Sequence, residues 1–302
     1  MRYHGSARVA GFEVRLSPFR LHRPTTVEQA SELLRELGPG ALPYCGGTEL
    51  LLVAKLGLTE FTDLIDLKGI AELSGIQANG ELRIGAATTH REIERSPLVG
   101  EHSPSLAAME RQVGNIRVRN VGTIGGNLCF ADPHSDPATY LIAAGGRLLA
   151  RGQGPARKIL VEEFTRGPYE TALTAGELLV AIEVPEPAAG SGLVHLKMAF
   201  NERPAITMAA NITVRDGNVA ATRVAVGSVG VAAQRLLATE RALAGVAAVQ
   251  PSPEVLSACA ATAAQEARPV EDANGSIEYK RQLVRVLFTR CVRAALADAV
   301  AI

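Results

Sequence analysis

The sequence predicts an α+β fold built from more than one subdomain. Over residues 17–67, strand-like apolar runs alternate with helical patterns, which is typical of a small α/β unit. Asn79-Gly80 joins two runs of alternating polarity, a strong signal for a β-hairpin. Beyond residue 190, three strand-like runs precede an Ala-rich helical region. This order predicts a C-terminal domain with a three-stranded antiparallel sheet and a helical bundle.

In the first unit, Thr25 and Glu28 have the spacing of a capping box and predict a helix that continues to about Leu37. We expect Gly38-Pro39-Gly40 to end this helix. The pattern that follows predicts a strand over residues 41–45, a helix over 50–56 and a strand over 62–67.

After the hairpin, the pattern predicts helices over residues 88–95, 103–113 and 137–144, and strands over 147–151 and 178–184. The glycine-rich stretch between the second and third of these helices is predicted to be a loop. In the C-terminal domain we expect strands over residues 194–200, 206–214 and 219–229, a turn at Asp216-Gly217-Asn218, and a final helix over 277–297.

Proline and glycine clusters define the expected domain boundaries. Pro185-Glu186-Pro187 and Gly190-Ser191-Gly192 separate two regions of different pattern. We therefore expect a first domain over residues 17–187, with subdomains of about 17–67 and 68–187, and a C-terminal domain over 188–302. Residues 1–16 match no pattern, and we expect a disordered extension or a partner-binding arm there.

Composition excludes several classes of function. The 31 basic and 31 acidic residues leave no net charge, which argues against nucleic acid as the main partner. Four scattered cysteines without a CxxC pair fit a reduced, cytoplasmic protein, and they argue against an iron–sulfur cluster or zinc site held by this chain alone. The six histidines show no metal-binding spacing. No apolar run reaches the roughly 18 residues of a transmembrane helix.

Two glycine-containing stretches of the sequence indicate a ligand-binding function. The first glycine segment comprises residues 43–50, with the sequence Pro43-Tyr44-Cys45-Gly46-Gly47-Thr48-Glu49-Leu50. The second glycine segment comprises residues 119–127, Arg-Asn-Val-Gly-Thr-Ile-Gly-Gly-Asn, and is followed by Asp132-Pro133 and Ser135-Asp136. Glycine lets backbone N–H groups approach a ligand, and successive N–H groups suit a pyrophosphate. Two such segments predict one long dinucleotide held from two sides, although the first alone is equally typical of an ordinary strand–helix turn.

Both segments, in this order and at this spacing, resemble the FAD-binding medium subunit of molybdenum hydroxylases, the group that includes carbon monoxide dehydrogenase and xanthine dehydrogenase. The resemblance extends through residues 64–67 and 176–179 and covers most of the chain from about residue 17. It implies a PCMH-type FAD-binding domain of two subdomains, with FAD extended across the cleft between them. It also implies a C-terminal domain of the carbon monoxide dehydrogenase flavoprotein type.

The resemblance further implies noncovalent FAD and a set of contacts. Residues 43–50 would hold the pyrophosphate and ribityl chain, and the second segment would complete the site. Tyr169 would cover the flavin face and control access of an electron acceptor. The remaining implied contacts are Val113, Thr123, Ile124, Gly125, Gly126, Asn127, Asp132, Asp136, Leu179 and Lys197.

Several of these residues have simpler interpretations. In these interpretations Asp136 is a helix N-cap, Leu179 is a strand core residue, Lys197 is a solvated strand lysine, Tyr169 is a surface tyrosine and Cys45 is a small buried apolar residue. Cys129 and His134 suggest covalent flavin attachment, but the resembled family holds FAD noncovalently. Residues 201–206 depart from the family pattern, which leaves the outer environment of the flavin and the acceptor open.

For function, the resemblance implies a complex of three chain types, as a dimer of heterotrimers. A large subunit carries the molybdenum cofactor, and a small subunit carries two [2Fe–2S] clusters. This chain would receive electrons on FAD and pass them to NAD, oxygen, a quinone or a protein. The alternatives are a stand-alone FAD-dependent oxidoreductase with its own substrate site and an FAD-free scaffold subunit. No clear acid or base between residues 140 and 200 supports the first, and two intact glycine segments argue against the second.

Overall fold

The computed structural model describes residues 6–9, 12–200 and 203–301. Strands β1 (Ser6–Val9) and β2 (Phe12–Arg15) form an antiparallel pair. This part of the predicted N-terminal extension is therefore extended and paired rather than without regular structure, while residues 1–5, 10 and 11 lie outside the described residues. A role of the extension in binding a partner stays a prediction.

The first subdomain is a parallel three-stranded sheet with helices at its strand ends. Its elements are β3 (Arg20–His22), α1 (Val27–Leu37), β4 (Ala41–Tyr44), α2 (Leu50–Lys55) and β5 (Asp63–Asp66), with strand order β3-β5-β4. The capping box predicted at Thr25 and Glu28 is wrong, because the N-cap is Thr26, whose hydroxyl accepts a hydrogen bond from the backbone N–H of Gln29. This register places Val27 and Ala30 in the core.

The second subdomain is a five-stranded antiparallel sheet covered by short helices. Its strand order is β6-β7-β12-β8-β9, and the predicted hairpin at Asn79-Gly80 is confirmed as the β6–β7 connection. The elements are β6 (Ile76–Ala78), β7 (Glu81–Gly85), α3 (His90–Arg95), α4 (Pro97–His102), α5 (Pro104–Glu110), α6 (Ile116–Val121), α7 (Ile124–Phe130), α8 (Asp136–Ala144), β8 (Arg147–Arg151), β9 (Arg157–Leu160), α9 (Val161–Phe164), β10 (Thr165–Gly167), β11 (Glu170–Thr171) and β12 (Leu178–Pro185).

The second glycine segment is mostly helical, and its prediction as a loop is wrong. Asn115 caps α6 and Thr123 caps α7 through side-chain oxygens that accept backbone N–H groups. These caps satisfy amides that would otherwise be unpaired at a helix start. They thereby offset the poor helix propensity of glycine, so only Gly122 and Thr123 interrupt the helical backbone.

The C-terminal domain contains the three predicted long strands and a fourth strand of two residues at the sheet edge. Its sheet has the order β13-β14-β15-β16, and its helices cover one face. The predicted turn is confirmed, because Asp216 and Gly217 have φ angles of 50° and 74°. The elements are β13 (Ser191–Phe200), β14 (Arg203–Arg215), β15 (Asn218–Gly227), β16 (Gln234–Arg235), α10 (Leu237–Leu243), α11 (Pro253–Glu266) and α12 (Ile277–Ala301).

Helix α8 connects the second subdomain to the C-terminal domain. Every residue of α8 is buried, and the helix packs against α5 and β12 on one side and against β14 and β15 on the other. Its residues share a core with Ala209 and Ala225 of the C-terminal sheet. Within the described residues, no helix is both long enough and apolar enough to cross a membrane.

Candidate functional site

A cleft of about 420 Å³ lies between the first and second subdomains. All eight residues of the first glycine segment line it, as do Thr123, Gly125, Gly126 and Asn127 of the second. The other predicted site residues that line the cleft are Val113, Asp132, Asp136 and Leu179. The structure therefore brings these 16 predicted site residues together around one ligand-sized space.

The first glycine segment follows β4 and leads into α2 as an open turn. Gly47 has a φ angle of 70°, a left-handed conformation that favours glycine. The backbone amides of residues 47–50 have no hydrogen-bond acceptor among the described residues. Consecutive free amides in such a turn form a concave set of donors for anionic oxygens.

The backbone amides of the second glycine segment donate hydrogen bonds to acceptors within the protein. The N–H groups of Ile124 and Gly125 donate to the carbonyl oxygens of Thr88 and Ala86, at 3.1 and 2.9 Å. The N–H of Gly126 donates to Thr123 Oγ1 at 3.1 Å, and that of Asn127 donates to the Thr123 carbonyl at 2.9 Å. Ile124 itself is buried in the core and does not line the cleft.

Two of the glycines allow the chain to pack against itself. A Cβ on Gly46 would collide with the carbonyl oxygen of Val121 and lie 2.7 Å from the Cα of Gly122. A Cβ on Gly125 would lie 2.5 Å from the carbonyl oxygen of Ala86. The close approach of two backbone segments therefore requires glycine at these positions.

Asp136 is a buried carboxylate at the start of α8. Its Oδ2 accepts a hydrogen bond from Lys197 Nζ at 2.9 Å, while its Oδ1 has no hydrogen-bond partner among the described residues and lies 4.0 Å from Nε2 of the buried His195. Burial raises the pKa of Asp136, and the charge of Lys197 opposes that rise. Ser135, not Asp136, is the N-cap of α8, so the capping interpretation of Asp136 is wrong.

The other predicted contacts occupy different positions around the cleft. Val113 and Leu179 are buried in its wall. Lys197 does not line the cleft, and it is not a solvated lysine, because its Nζ contacts Asp136 and the carbonyl oxygen of Gln112. Lys197 therefore contacts Asp136 without lining the cleft, and it places a positive charge beside that carboxylate.

Tyr169 lies at the surface and is 61% exposed. Its φ angle of 61° is unusual for a residue with a side chain, and its N–H donates to the carbonyl of Ala131 at 2.9 Å. Its ring packs edge-to-face on Phe130 at a centroid distance of 5.2 Å. Tyr44 and Phe130 line the cleft whereas Tyr169 does not, so Tyr169 adjoins the cleft through its contact with Phe130.

An ion-pair network at the rim connects both glycine regions to the C-terminal sheet. Arg203, the first residue of β14, pairs with Asp132 at 2.6 Å and with Glu49 at 3.2 Å. Burial raises the pKa of Glu49, and Arg203 counters that rise. Of the segment that departs from the family pattern, Asn201 and Glu202 lie outside the described residues.

The sequence interpretation missed the pair His90 and Glu110. His90 lines the cleft, and its Nδ1 is 2.6 Å from Glu110 Oε2. Both side chains are buried, with exposures of 2% and 0%. No motif marks them, because they are 20 residues apart and meet only when α3 packs on α5.

Two cysteines line the cleft. Burial raises the pKa of Cys129 to about 12 and also raises that of Cys45. Both thiols are therefore held protonated near neutral pH, which disfavours nucleophilic attack on a ligand. All four cysteines are free, and the described residues contain no His, Cys, Asp and Glu cluster that could hold a metal ion.

Two family models together match most of the chain. The family described as the FAD binding domain in molybdopterin dehydrogenase matches residues 17–187. The family described as the CO dehydrogenase flavoprotein C-terminal domain matches residues 196–295. These matches confirm the resemblance that the two glycine segments indicate, and with it the predicted fold class.

Individual proteins agree with the family models. The chain is 31% identical to the carbon monoxide dehydrogenase medium chain of Afipia carboxidovorans, over 93% of this chain and 98% of the relative. It is 28% identical to the nicotine 6-hydroxylase medium subunit of Paenarthrobacter nicotinovorans, over 92% and 98%. Among solved structures, carbon monoxide dehydrogenase from Hydrogenophaga pseudoflava superposes with a TM-score of 0.87 at 32% identity, over 94% of this chain and 97% of that chain. Quinoline 2-oxidoreductase from Pseudomonas putida 86 superposes with a TM-score of 0.88 at 26% identity, over 94% and 99%.

Proposed function

Because the chain belongs to the family of FAD-binding subunits of molybdenum hydroxylases, we propose that it carries electrons from the [2Fe–2S] clusters of a partner subunit to an external acceptor. The chain is an FAD-binding oxidoreductase subunit. It is the medium chain of a multi-subunit complex, in which the molybdenum cofactor and iron–sulfur clusters belong to other subunits. We further propose that the complex is a dimer of heterotrimers in the cytoplasm, a compartment in which four free cysteines are stable.

The observation that carries this proposal is the pairing of two glycine segments around one cleft. The cleft offers the free amides of residues 47–50 to anionic oxygens, as the diphosphate of FAD requires. Its lining is otherwise largely apolar, with Val113, Phe130 and Leu179 available to a flat ring. The Oδ1 of Asp136, which accepts no hydrogen bond among the described residues, is a buried acceptor that a hydroxyl or ring N–H of the cofactor would satisfy.

We assign roles to the residues from these positions. The first glycine segment binds the diphosphate through its amides, and Thr123 and Asn127 add side-chain contacts from the opposite wall. Asp136, supported by Lys197, orients the cofactor by accepting a hydrogen bond. Bound FAD supplies the redox chemistry, and the surrounding residues position the ring and exclude water from it.

An electron acceptor must also be able to approach the flavin. Tyr169 is held by Ala131 at the end of α7 and packs on Phe130 at the cleft wall. We propose that this aromatic pair limits how closely an acceptor approaches the ring. NAD, oxygen, a quinone and a protein are all chemically suitable acceptors for a reduced flavin.

The proposal is tested by cofactor and metal analysis of the chain alone and with its partners. We expect about one FAD per chain, released into the supernatant by acid because it is bound noncovalently. We expect the isolated chain to contain neither molybdenum nor iron and to oxidise no organic substrate. Co-purified partner chains should contain both metals and should reduce the FAD when substrate is added.

Two results would contradict the proposal. A full chain that fails to bind added FAD would refute the assignment of the cleft. Turnover of an organic substrate by the metal-free chain would instead support a stand-alone FAD-dependent oxidoreductase.

A further inference from the structure

His90 and Glu110 form a buried polar pair where α3 packs on α5. Glu110, the last residue of α5, is fully buried, and its Oε1 has no partner among the described residues. A buried carboxylate is costly unless a charged or hydrogen-bonding partner satisfies it. Its Oε2 meets His90 Nδ1 at 2.6 Å, so the pair fixes the orientation of the imidazole ring.

The His90 ring lies where the two glycine segments approach each other. The backbone N–H of His90 donates to the carbonyl of Gly122 at 3.0 Å. A Cβ built on Gly122 would lie 3.4 Å from His90 Cδ2 and 3.5 Å from Thr48 Oγ1. Nε2 is bonded to Cδ2 in the ring and has no hydrogen-bond partner among the described residues. His90 lines the cleft although its side chain is only 2% exposed, and Nε2 is the ring nitrogen that Glu110 does not contact.

The charge distribution of the cleft gives His90 a distinct position. Four carboxylates line the cleft, namely Glu49, Asp132, Asp136 and Glu177, whereas its basic residues among those described are His90, His134 and Arg203. Arg203 pairs with Glu49 and Asp132, and His134 pairs with Asp132. His90 is the basic residue located between the glycine segments, where a diphosphate would bring further negative charge.

We propose that His90 donates a hydrogen bond through Nε2 to the diphosphate of bound FAD, and that Glu110 is the positioning residue for this contact. With Glu110 accepting from Nδ1–H and a phosphate oxygen accepting from Nε2–H, the ring donates at both nitrogens and is an imidazolium. The free amides of residues 47–50 and this cation then bind the diphosphate from two sides. The inference rests on the proposed placement of FAD in the cleft.

The test measures binding by the full chain after its flavin has been removed. The variants are His90→Leu, His90→Gln and Glu110→Gln, with His102→Leu as the matched control outside the cleft. FAD is compared with riboflavin, which has the same ring and ribityl chain but no phosphate. Loss of a charged hydrogen bond should weaken FAD binding about tenfold or more in His90→Leu. Riboflavin binding should be unchanged, and Glu110→Gln should show a smaller loss for FAD alone.

A spectroscopic readout separates contact from structural support. The phosphorus-31 resonances of bound FAD should shift between the wild-type chain and His90→Gln, while the visible spectrum of the flavin stays the same. Unchanged resonances, or an equal loss of FAD and riboflavin affinity, would overturn the proposal. If His90→Leu does not fold because Glu110 loses its partner, the double variant His90→Leu/Glu110→Leu removes both groups, and the same comparison of ligands applies.

Failure of this inference is distinguishable from failure of the proposed function. If a substitution that closes the gap between the glycine segments, Gly46→Val, leaves FAD affinity at the wild-type value, then FAD does not occupy this cleft. If Gly46→Val loses FAD while every His90 variant binds it normally, only the role of His90 is wrong.

Discussion

The two glycine segments line the same cleft, but they are built in opposite ways. The first is an open turn whose amides at residues 47–50 have no acceptor in the described part of the chain, whereas the amides of Ile124 to Asn127 in the second donate to acceptors within the protein. The first is therefore suited to bind a ligand through its backbone. The second is a capped helix start that brings side chains and a rigid wall to the cleft. Similar glycine content thus supports two different physical roles.

The largest effect on FAD binding is expected from a substitution at the point where the two glycine segments touch. In Gly46→Val, the new Cβ would collide with the carbonyl of Val121, so the segments must separate. We expect FAD binding to fall below detection and stability to fall by about 1–3 kcal/mol, the usual range for overpacking. Equilibrium dialysis with FAD and thermal unfolding followed by circular dichroism measure both quantities. Gly100→Ala, where a Cβ meets nothing within 4 Å, should behave as wild type.

The second prediction separates cleft space from helix capping in the second segment. A Cβ on Gly126 would lie 2.8 Å from the Thr123 Oγ1 that caps α7, and the two methyl groups of valine would make this steric clash worse. Gly126→Val should weaken FAD binding more than tenfold while the C-terminal domain stays folded. Thr123→Ala removes the cap and the Thr123 hydroxyl without adding bulk, so it should cost about 1 kcal/mol of stability and weaken FAD binding less than Gly126→Val does. Equal FAD affinities in the two variants would show that the cap, not the space beside Gly126, determines binding.

A third prediction concerns access to the flavin rather than its affinity. Tyr169→Ala removes the ring that packs on Phe130, so the flavin face becomes more open. FAD content should stay near the wild-type value, while reoxidation of the dithionite-reduced flavin should change severalfold. Stopped-flow absorbance measures the rate, and Tyr169→Phe, which keeps the ring, is the control. Identical rates in all three proteins at equal FAD content would assign Tyr169 to the surface alone.

The smallest expected effect is a pH-dependent change in stability, caused by a carboxylate in the parallel sheet that supports the first glycine segment. Hydrogen bonds from Arg20, and then from His22 and Thr62, offset burial and lower the pKa of Asp63 to about 2. An unfolded Asp titrates near pH 4, so the native state binds fewer protons between about pH 4 and pH 2. Asp63 therefore contributes stability above pH 4 that is lost as the pH falls toward 2.

Urea unfolding of wild type and Asp63→Asn, followed by circular dichroism because the chain has no tryptophan, checks this expectation. The difference in stability should be largest near pH 7 and should decrease steadily between about pH 4 and pH 2. A difference that is constant over this range would show that the ionised carboxylate of Asp63 is not the cause.

Local patterns predicted much of the fold. The Asn79-Gly80 hairpin, strand β8 and the three long strands of the C-terminal sheet were predicted, because period-two alternation and turn residues act over a few positions. The helical form of the second glycine segment was not predicted, because glycine content indicates a loop and the caps at Asn115 and Thr123 outweigh it. The N-cap is Thr26 rather than the predicted Thr25; both are suitable cap residues, and a helix that starts after Thr26 has Val27 and Ala30 in the core.

By itself, the sequence determined the family, the α+β class and the two segments that line the cleft, because each depends on residues close together in the chain. Only the tertiary structure decided which amides are free, that Lys197 supports Asp136 rather than facing solvent, and that His90 meets Glu110. These features depend on side chains 20 to 61 residues apart, whose contact is fixed by packing of α3 on α5 and of β13 beside α8. Spacing along the chain contains no signal for such contacts, because many folds compatible with the same local patterns would separate them.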